Sequence, residues 1–247
     1  MNRMNLDGRG VVWLLVGAIF LTAAVVVFQV PAFAASDKQE AGQLVEKARL
    51  TLDSFVSDNN MGAFRDLLQR ADGVFIAPQV LKGAFFVGAS GGSGVFLVRD
   101  KKTGQWSEPA FYTIGGASFG LQIGGEASEV ILLAMTDRGV RSLLANSVKL
   151  GGDVGIAAGP VGMGAAAATA NLSADILSFA RSKGLYGGIS LEGAVVAVRG
   201  ALNNAYYGKE GLSPTDILVR KDVANSQAMG LIEDVTKSAA QKSASLK

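Results

Sequence analysis

The stretch that decides the fold is residues 71–100, which read ADGVFIAPQVLKGAFFVGASGGSGVFLVRD. Short runs of apolar and aromatic residues alternate here with glycines, and 23 of the chain's 32 glycines lie between Gly83 and Gly200. Several short strands joined by turns are typical of a sandwich or barrel, and glycine inside a strand often marks a bulge or bend. We therefore predict an α+β fold, mainly β, with a small antiparallel β-barrel or closed sheet and flanking helices at both ends.

The predicted strands continue along the chain as ten short apolar runs. They are Val74–Ala77, Ala84–Ala89, Val95–Arg99, Ala110–Ile114, Ser118–Ile123, Ser128–Met135, Val154–Ala158, Ala165–Asn171, Ile176–Arg181 and Ile189–Val198. Residues 100–104, Asp-Lys-Lys-Thr-Gly, are a hairpin turn signal. One helix, capped by Thr136 or Asp137 and ending near Asn146, is expected to interrupt the sheet.

Helical segments are predicted on both sides of the glycine-rich region. Between residues 41 and 56 apolar residues recur at steps of three and four, the helical period, and Ser36 can cap the N-terminus of this helix. Ser213-Pro214 fits the N-cap and first-turn pair of a later helix. The predicted organisation is an N-terminal helical segment over 35–70, the β domain over 71–208 and a C-terminal helical segment over 209–247.

The first 34 residues are typical of a secretory signal. Arg3 and Arg9 precede an apolar run from Val11 to Val30, and Ala32-Phe33-Ala34 supplies the small residues that a signal peptidase needs. We predict cleavage after Ala34 and a mature chain that is periplasmic or secreted. An uncleaved membrane anchor is the alternative, because the apolar run is close to the length that spans a bilayer.

Composition argues against several classes of function. Without its first 34 residues the chain keeps 21 basic and 20 acidic residues, a balance near +1 that gives no global field for nucleic acid. The sequence has no histidine and no cysteine. Histidine is the commonest general base and the commonest transition-metal ligand, and cysteine is the other main ligand of zinc and copper. We therefore expect no metal site and no cofactor.

Three glycine-rich motifs resemble catalytic or nucleotide-binding loops. Gly116-Ala117-Ser118-Phe119-Gly120 has the pattern of a nucleophile elbow, but its serine needs a histidine to take the proton, and the chain has none. Residues 88–94 look like a phosphate-binding loop, yet a predicted strand follows where a helix is required. Residues 162–167 fit a loose dinucleotide pattern without the acidic residue that binds ribose. We predict no catalytic residues.

Local clusters of basic residues are the candidate site for an anionic lipid head group. They lie in the hairpin region, around the interrupting helix and beside a later turn, and such clusters suit phosphate recognition. The candidates are Lys82, Arg99, Arg138, Arg141, Lys149, Arg181 and Lys183. Arg138 and Arg141 are three residues apart and therefore share a helix face. An ordinary solvated charged surface is the alternative.

Several strings carry a resemblance to a known family. They are the stretch quoted above, TGQWSEPAFYTIGGASFGLQIGGEASEVILLAMTDRG from Thr103, KLGGDVGIAAGPVGMG from Lys149, FARSKGLYGGISLEGAVV from Phe179 and NNAYYG at Asn203. Over residues 71–208 the chain resembles the SYLF domain family, in its bacterial exported branch. The resemblance implies lipid binding, and it is consistent with a small barrel flanked by helices. Eukaryotic relatives carry the domain beside Src-homology or FYVE modules, bind phosphoinositides and help to organise actin.

The expected function is that of an exported, non-catalytic protein of the cell envelope that binds anionic phospholipid or a membrane surface. Actin and phosphoinositides are not expected as partners in that compartment, whereas an envelope protein is a second kind of partner. The alternative is an envelope scaffold that binds protein without a lipid ligand, and an enzyme is a more distant third. The lipid is expected either on a basic surface or inside the barrel.

Overall fold

A long hairpin forms the centre of the fold in the computed structural model. The structure describes residues 30–161, 174–182, 185–187 and 191–240, of which 30–35, 83–88, 117–125 and 185–187 are described as backbone only. Strand β1 (Gly73–Val98) pairs antiparallel with β2 (Ala110–Ala134). The turn between them is the predicted one, because the Asp100 carboxylate accepts the N–H groups of Lys102 and Thr103.

The hairpin doubles back on itself, so that the two halves of β1 lie side by side. A Cβ added to Gly92 would lie 2.2 Å from the carbonyl oxygen of Gln79, and one added to Gly94 would lie 2.6 Å from that of Ile76. The register shifts between Ala77 and Val80 and again after Ala84, where the hairpin bends. Six short strands were predicted in this region, and that prediction is wrong. Glycine marks bends and close approaches inside two long strands here, instead of their ends.

Five shorter strands complete the described sheet. They are β3 (Ser147–Lys149), β4 (Ile156–Ala158), β5 (Ile176–Ser182), β6 (Leu185–Gly187) and β7 (Val195–Val198). Strand β7 pairs with the first half of β2 and β5 with its second half, in the order β3–β7–β2–β5–β4, while β6 pairs with β5. The predicted run 165–171 lies outside the described residues.

The sheet is an open half-barrel, which corrects the prediction of a closed antiparallel barrel. Strands β3 and β4 stand at the two ends of the order, and within the described residues no ladder joins them. Each is only three residues long, which leaves little backbone for a closing ladder. The pairing of β4 with β5 is also parallel, so the sheet is mixed.

Four of the described helices cover one face of the half-barrel, and one further helix and a π-helical turn pack against the other face. The helical elements are α1 (Val30–Ser57), a 3-10 turn (Asn59–Met61), α2 (Gly62–Leu68), α3 (Asp137–Leu144), α4 (Gly200–Tyr207), a π-helical turn (Asp216–Arg220), a 3-10 turn (Ser226–Ala228) and α5 (Met229–Ala240). The Thr136 hydroxyl caps α3 by accepting the N–H of Gly139, as predicted. The predicted cap at Ser36 is wrong, since the described helix already includes Val30 and Ser36 lies inside it.

Alternating side chains of the hairpin supply two separate cores. Val74 and Ile76 face the layer formed by α1, α2, α4 and α5, whereas Phe75 faces the opposite side of the sheet and belongs to the second core. There Phe75 and Phe96 each make an edge-to-face contact with Tyr112. Buried aromatic rings therefore form part of the second core within the described residues. Among the described residues, no helix combines the length and the hydropathy needed to cross a membrane.

Candidate ligand-binding groove

An open groove runs between α1 and the bulge of β1. It consists of two adjoining cavities of about 230 and 390 Å3, which share Lys47, Pro78 and Gln79. The helix side of the groove is formed by Glu40, Gln43, Leu44, Lys47, Leu50 and Thr51. The sheet side is formed by Pro78, Gln79, Leu81, Gly91, Gly92 and Ser93, with Glu129 and Arg181 at one end.

The groove exists because a regular helix face passes over a part of the sheet with little side-chain bulk. The α1 residues that line it are spaced three or four apart, so they form one stripe about 16 Å long. Below them, Pro78 and Gln79 of β1 stand opposite the single residue Glu129 of β2, which is a β-bulge. A Cβ added to Gly91 would meet no atom within 4 Å. The space above Gly91 is therefore open.

Ion pairs within the protein neutralise the two ends of the groove. At one end Arg199 pairs with Glu40 and also donates a hydrogen bond of 2.8 Å to the Ser93 hydroxyl. At the other end Arg181 pairs with Glu129, and its guanidinium lies 6.0 Å from the centre of the Phe55 ring. Each end therefore presents a cation whose charge an internal carboxylate already balances.

The middle of the groove has a different character. Lys47 is exposed there and forms no salt bridge within the described part of the chain. Leu50 and Leu81 lie beside it with 53% and 54% of their surfaces exposed. They are two of the five large apolar side chains that are exposed among the described residues. A cation between exposed leucines suits a ligand that has both an anionic and an apolar part.

The structure places three of the predicted head-group residues together, at α3 and β3. Arg138, Arg141 and Lys149 are all exposed. Acidic groups accompany them: Arg138 lies 3.7 Å from the Asp175 carboxylate, and Asp153 accepts the backbone N–H of Lys149. This α3–β3 cluster is therefore a mixed surface with little excess positive charge.

The other predicted residues do not join that cluster. Arg99 donates to the carbonyl oxygen of Gln69 at 2.9 Å, in a structural contact. Lys82 stands opposite Glu126 in the β1–β2 ladder. Arg181 belongs to the end of the groove, as described above. Lys183 lies outside the described residues, as do residues 162–167, and the side chain of Ser118 is not described either.

Sequence reasoning did not select Lys47, the residue at the centre of the groove. The charge pattern of α1 is mixed, with Glu46 and Arg49 joined on the same helix and Arg49 also paired with Asp234 of α5. The sequence shows that Lys47 and Glu40 are seven residues apart and so share a face. It does not show that this face lies over Gln79, which is 32 residues away along the chain.

Comparisons with known proteins found matches that cover half of the chain or more. Residues 115–238, half of the chain, match the model of the family described as "Ysc84: Las17-binding protein actin regulator". The chain is 36% identical over 172 residues to the LAS seventeen-binding protein 3 of Saccharomyces cerevisiae, covering 66% of this chain and 37% of the yeast protein. It is 32% identical over 169 residues to the human SH3 domain-containing YSC84-like protein 1, covering 68% and 48% respectively. The chain thus spans half or less of the length of these relatives. No solved structure matches it.

Proposed function

The chain belongs to the Ysc84 family, also known as the SYLF domain family, and we propose that it is a non-catalytic binding protein whose ligand is an anionic phospholipid. The observation that carries the proposal is the position of Lys47 between Leu50 and Leu81 in the middle of the groove. The cation attracts a phosphate or carboxylate, and the leucines lose exposed apolar surface when an acyl chain covers them.

Co-sedimentation with vesicles tests this function directly. The protein is mixed with phosphatidylglycerol vesicles and, in parallel, with phosphatidylcholine vesicles, which have no net charge. We expect binding to the anionic vesicles that weakens as salt is added, because salt screens exposed charges. Equal recovery with both kinds of vesicle, or with neither, would contradict an anionic lipid ligand.

Protein binding is the second candidate function, and the relatives favour it. The family model is described as a Las17-binding actin regulator, and the yeast relative is named for binding Las17. The argument against actin depends on export from the cytoplasm, which is itself a proposal. Sedimentation of the protein with purified actin filaments tests this candidate. Saturable co-sedimentation that vesicles do not compete away would favour a protein-binding role over a lipid-binding one.

Export and the absence of catalysis remain part of the proposal. Cleavage after Ala34 would remove none of the described core residues of α1, the first of which is Ala41. N-terminal sequencing of the protein from the cell envelope tests the cleavage, and a mature chain that begins at Met1 would refute it. Reproducible esterase activity in the pure protein, lost in Ser118→Ala, would refute the non-catalytic role.

A further inference from the structure

We propose that the groove holds one single-chain anionic lipid as a soluble monomer, with the acidic head at Lys47 and the chain above Gly91. The inference rests on the proposed lipid-binding function and names the ligand class and its orientation. It differs from attachment to a bilayer surface, because the ligand is taken up as an individual molecule.

The part of the groove between Lys47 and Glu40 has the shape and lining of a chain-binding channel. Leu44 and Leu81 provide apolar walls, and Gly91 provides a floor with open space above it. Lys47 and Glu40 are seven positions apart on the helix, which corresponds to a length of about 10 Å. The Glu40–Arg199 pair closes the far end of this part. A medium-chain fatty acid such as decanoate suits this length.

Charge fixes the orientation of the ligand. An acidic head at either end would meet an arginine that is already paired with Glu40 or Glu129. Lys47 is the cation of the groove lining that has no carboxylate partner among the described residues. Its ammonium group, three strong donors at the end of a flexible stem, can follow a carboxylate or phosphate without a rigid geometry.

The backbone of β1 argues against an extended peptide as the occupant. A peptide that adds to a sheet needs a strand with unpaired N–H and C=O groups. Strand β1 has β2 along one edge, and its own two halves lie against each other along the second edge, at Gly92 and Gln79. The sheet side of the groove therefore offers a surface of side chains and small residues, which suits a chain without hydrogen-bonding groups.

Calorimetric titration with decanoate below its micelle concentration tests the inference. We expect saturable binding with one ligand per protein. Gly91→Leu places a side chain in the open space above Gly91 and should weaken decanoate binding at least tenfold. Gly62→Leu is the matched control, because a Cβ there meets only the end of the Arg65 side chain, at 3.7 Å. Lys47→Met should also weaken binding, and decyltrimethylammonium, a cation with the same chain, should not bind.

The outcomes separate the inference from the proposed function. If the parent protein binds anionic vesicles but not decanoate, the groove inference is wrong and lipid binding stands. If it binds neither, both fail. Unchanged decanoate binding in Gly91→Leu would also overturn the inference. If Gly91→Leu melts far below the parent, Lys47→Met decides the question, because it changes only an exposed side chain of α1. Unaltered decanoate binding in Lys47→Met would contradict the assigned head-group contact.

Discussion

The side-chain amide of Asn203 pairs with both backbone polar groups of Phe111, as a neighbouring strand would. Its Oδ1 accepts the N–H of Phe111 at 2.9 Å, and its Nδ2 lies 3.4 Å from the Phe111 carbonyl oxygen. Asn203 is completely buried in α4, and the backbone N–H of Arg199 donates to the same carbonyl. One side chain of α4 thus satisfies both backbone polar groups of the second residue of β2, directly before the residues that β7 covers.

Replacing Asn203 should therefore destabilise the fold. Asn203→Ala leaves the buried N–H of Phe111 without a partner, and such a loss costs about 1–3 kcal/mol. Urea denaturation measures the change in the free energy of unfolding. Asn60→Ala is the control, because Asn60 is an exposed asparagine in the 3-10 turn after α1. Similar losses in the two variants would show that the Asn203–Phe111 pair has no special role.

The doubling back of the hairpin predicts that two nearby glycines respond differently to alanine. Gly94→Ala places a methyl group 2.6 Å from both the Ile76 carbonyl oxygen and the Phe75 ring. Relieving that overlap should lower the free energy of unfolding by about 1–3 kcal/mol. Gly91→Ala puts its methyl group into open space and should change stability by less than about 1 kcal/mol. Equal stability of the two variants would contradict the close approach of the two halves of β1.

Glu108 predicts a pH dependence of stability. Burial raises the pKa of its carboxyl group above the ordinary value of 4.5, and its Oε2 is buried without a hydrogen-bond partner in the described structure. A raised pKa means that folding favours the neutral carboxyl group. The contribution of Glu108 to the free energy of unfolding is therefore fully present below pH 4.5 and is lost as pH rises through the raised pKa. Glu108→Gln should remove that loss.

The measurement is the difference in the free energy of unfolding between parent and Glu108→Gln, from pH 4 to pH 8. We expect the variant to gain stability relative to the parent as pH rises. The difference isolates Glu108 from carboxylates such as Asp216, whose pKa is lowered by hydrogen bonds from Ser213. A difference that does not vary with pH would contradict the assignment.

Local features of the fold could be predicted from sequence, and contacts between distant segments could not. The Asp100 turn and the Thr136 cap each depend on residues within four positions, so their residue types suffice. The approach of Gly92 to Gln79 joins residues that are 13 apart within one strand, and glycine there fits both a strand end and a close contact. The open edge of the sheet depends on how β3 and β4 are placed, which strand patterns do not encode.

The same distinction applies to the candidate site. The clustering of Arg138 and Arg141 follows from helical spacing and is found. The acidic partners of that cluster include Asp175, which directly precedes β5. Counting charges near Arg138 in the sequence does not find it. Lys47 is a candidate because α1 lies over the bulge at Pro78, a contact that the sequence does not show. Binding sites between elements are the part of function that local patterns omit.

The α3–β3 cluster should contribute little to lipid binding. Each basic residue near an anionic bilayer contributes about 1 kcal/mol, but Asp153 and Asp175 lie beside these three. We expect the combined change Arg138→Met, Arg141→Met, Lys149→Met to reduce vesicle affinity less than Lys47→Met alone. Vesicle co-sedimentation at low salt measures both. A triple variant that loses binding while Lys47→Met keeps it would move the head-group contact to α3 and β3.

The most direct test of the central claim compares Lys47→Met with Lys38→Met on phosphatidylglycerol vesicles. Both lysines are exposed on α1, but Lys38 does not line the groove. Losing one contact of about 1 kcal/mol should weaken the binding of Lys47→Met roughly fivefold. We expect Lys38→Met to bind as the parent does, and both variants to keep the parent's melting temperature. Equal affinities for the two variants would contradict the groove as the lipid site.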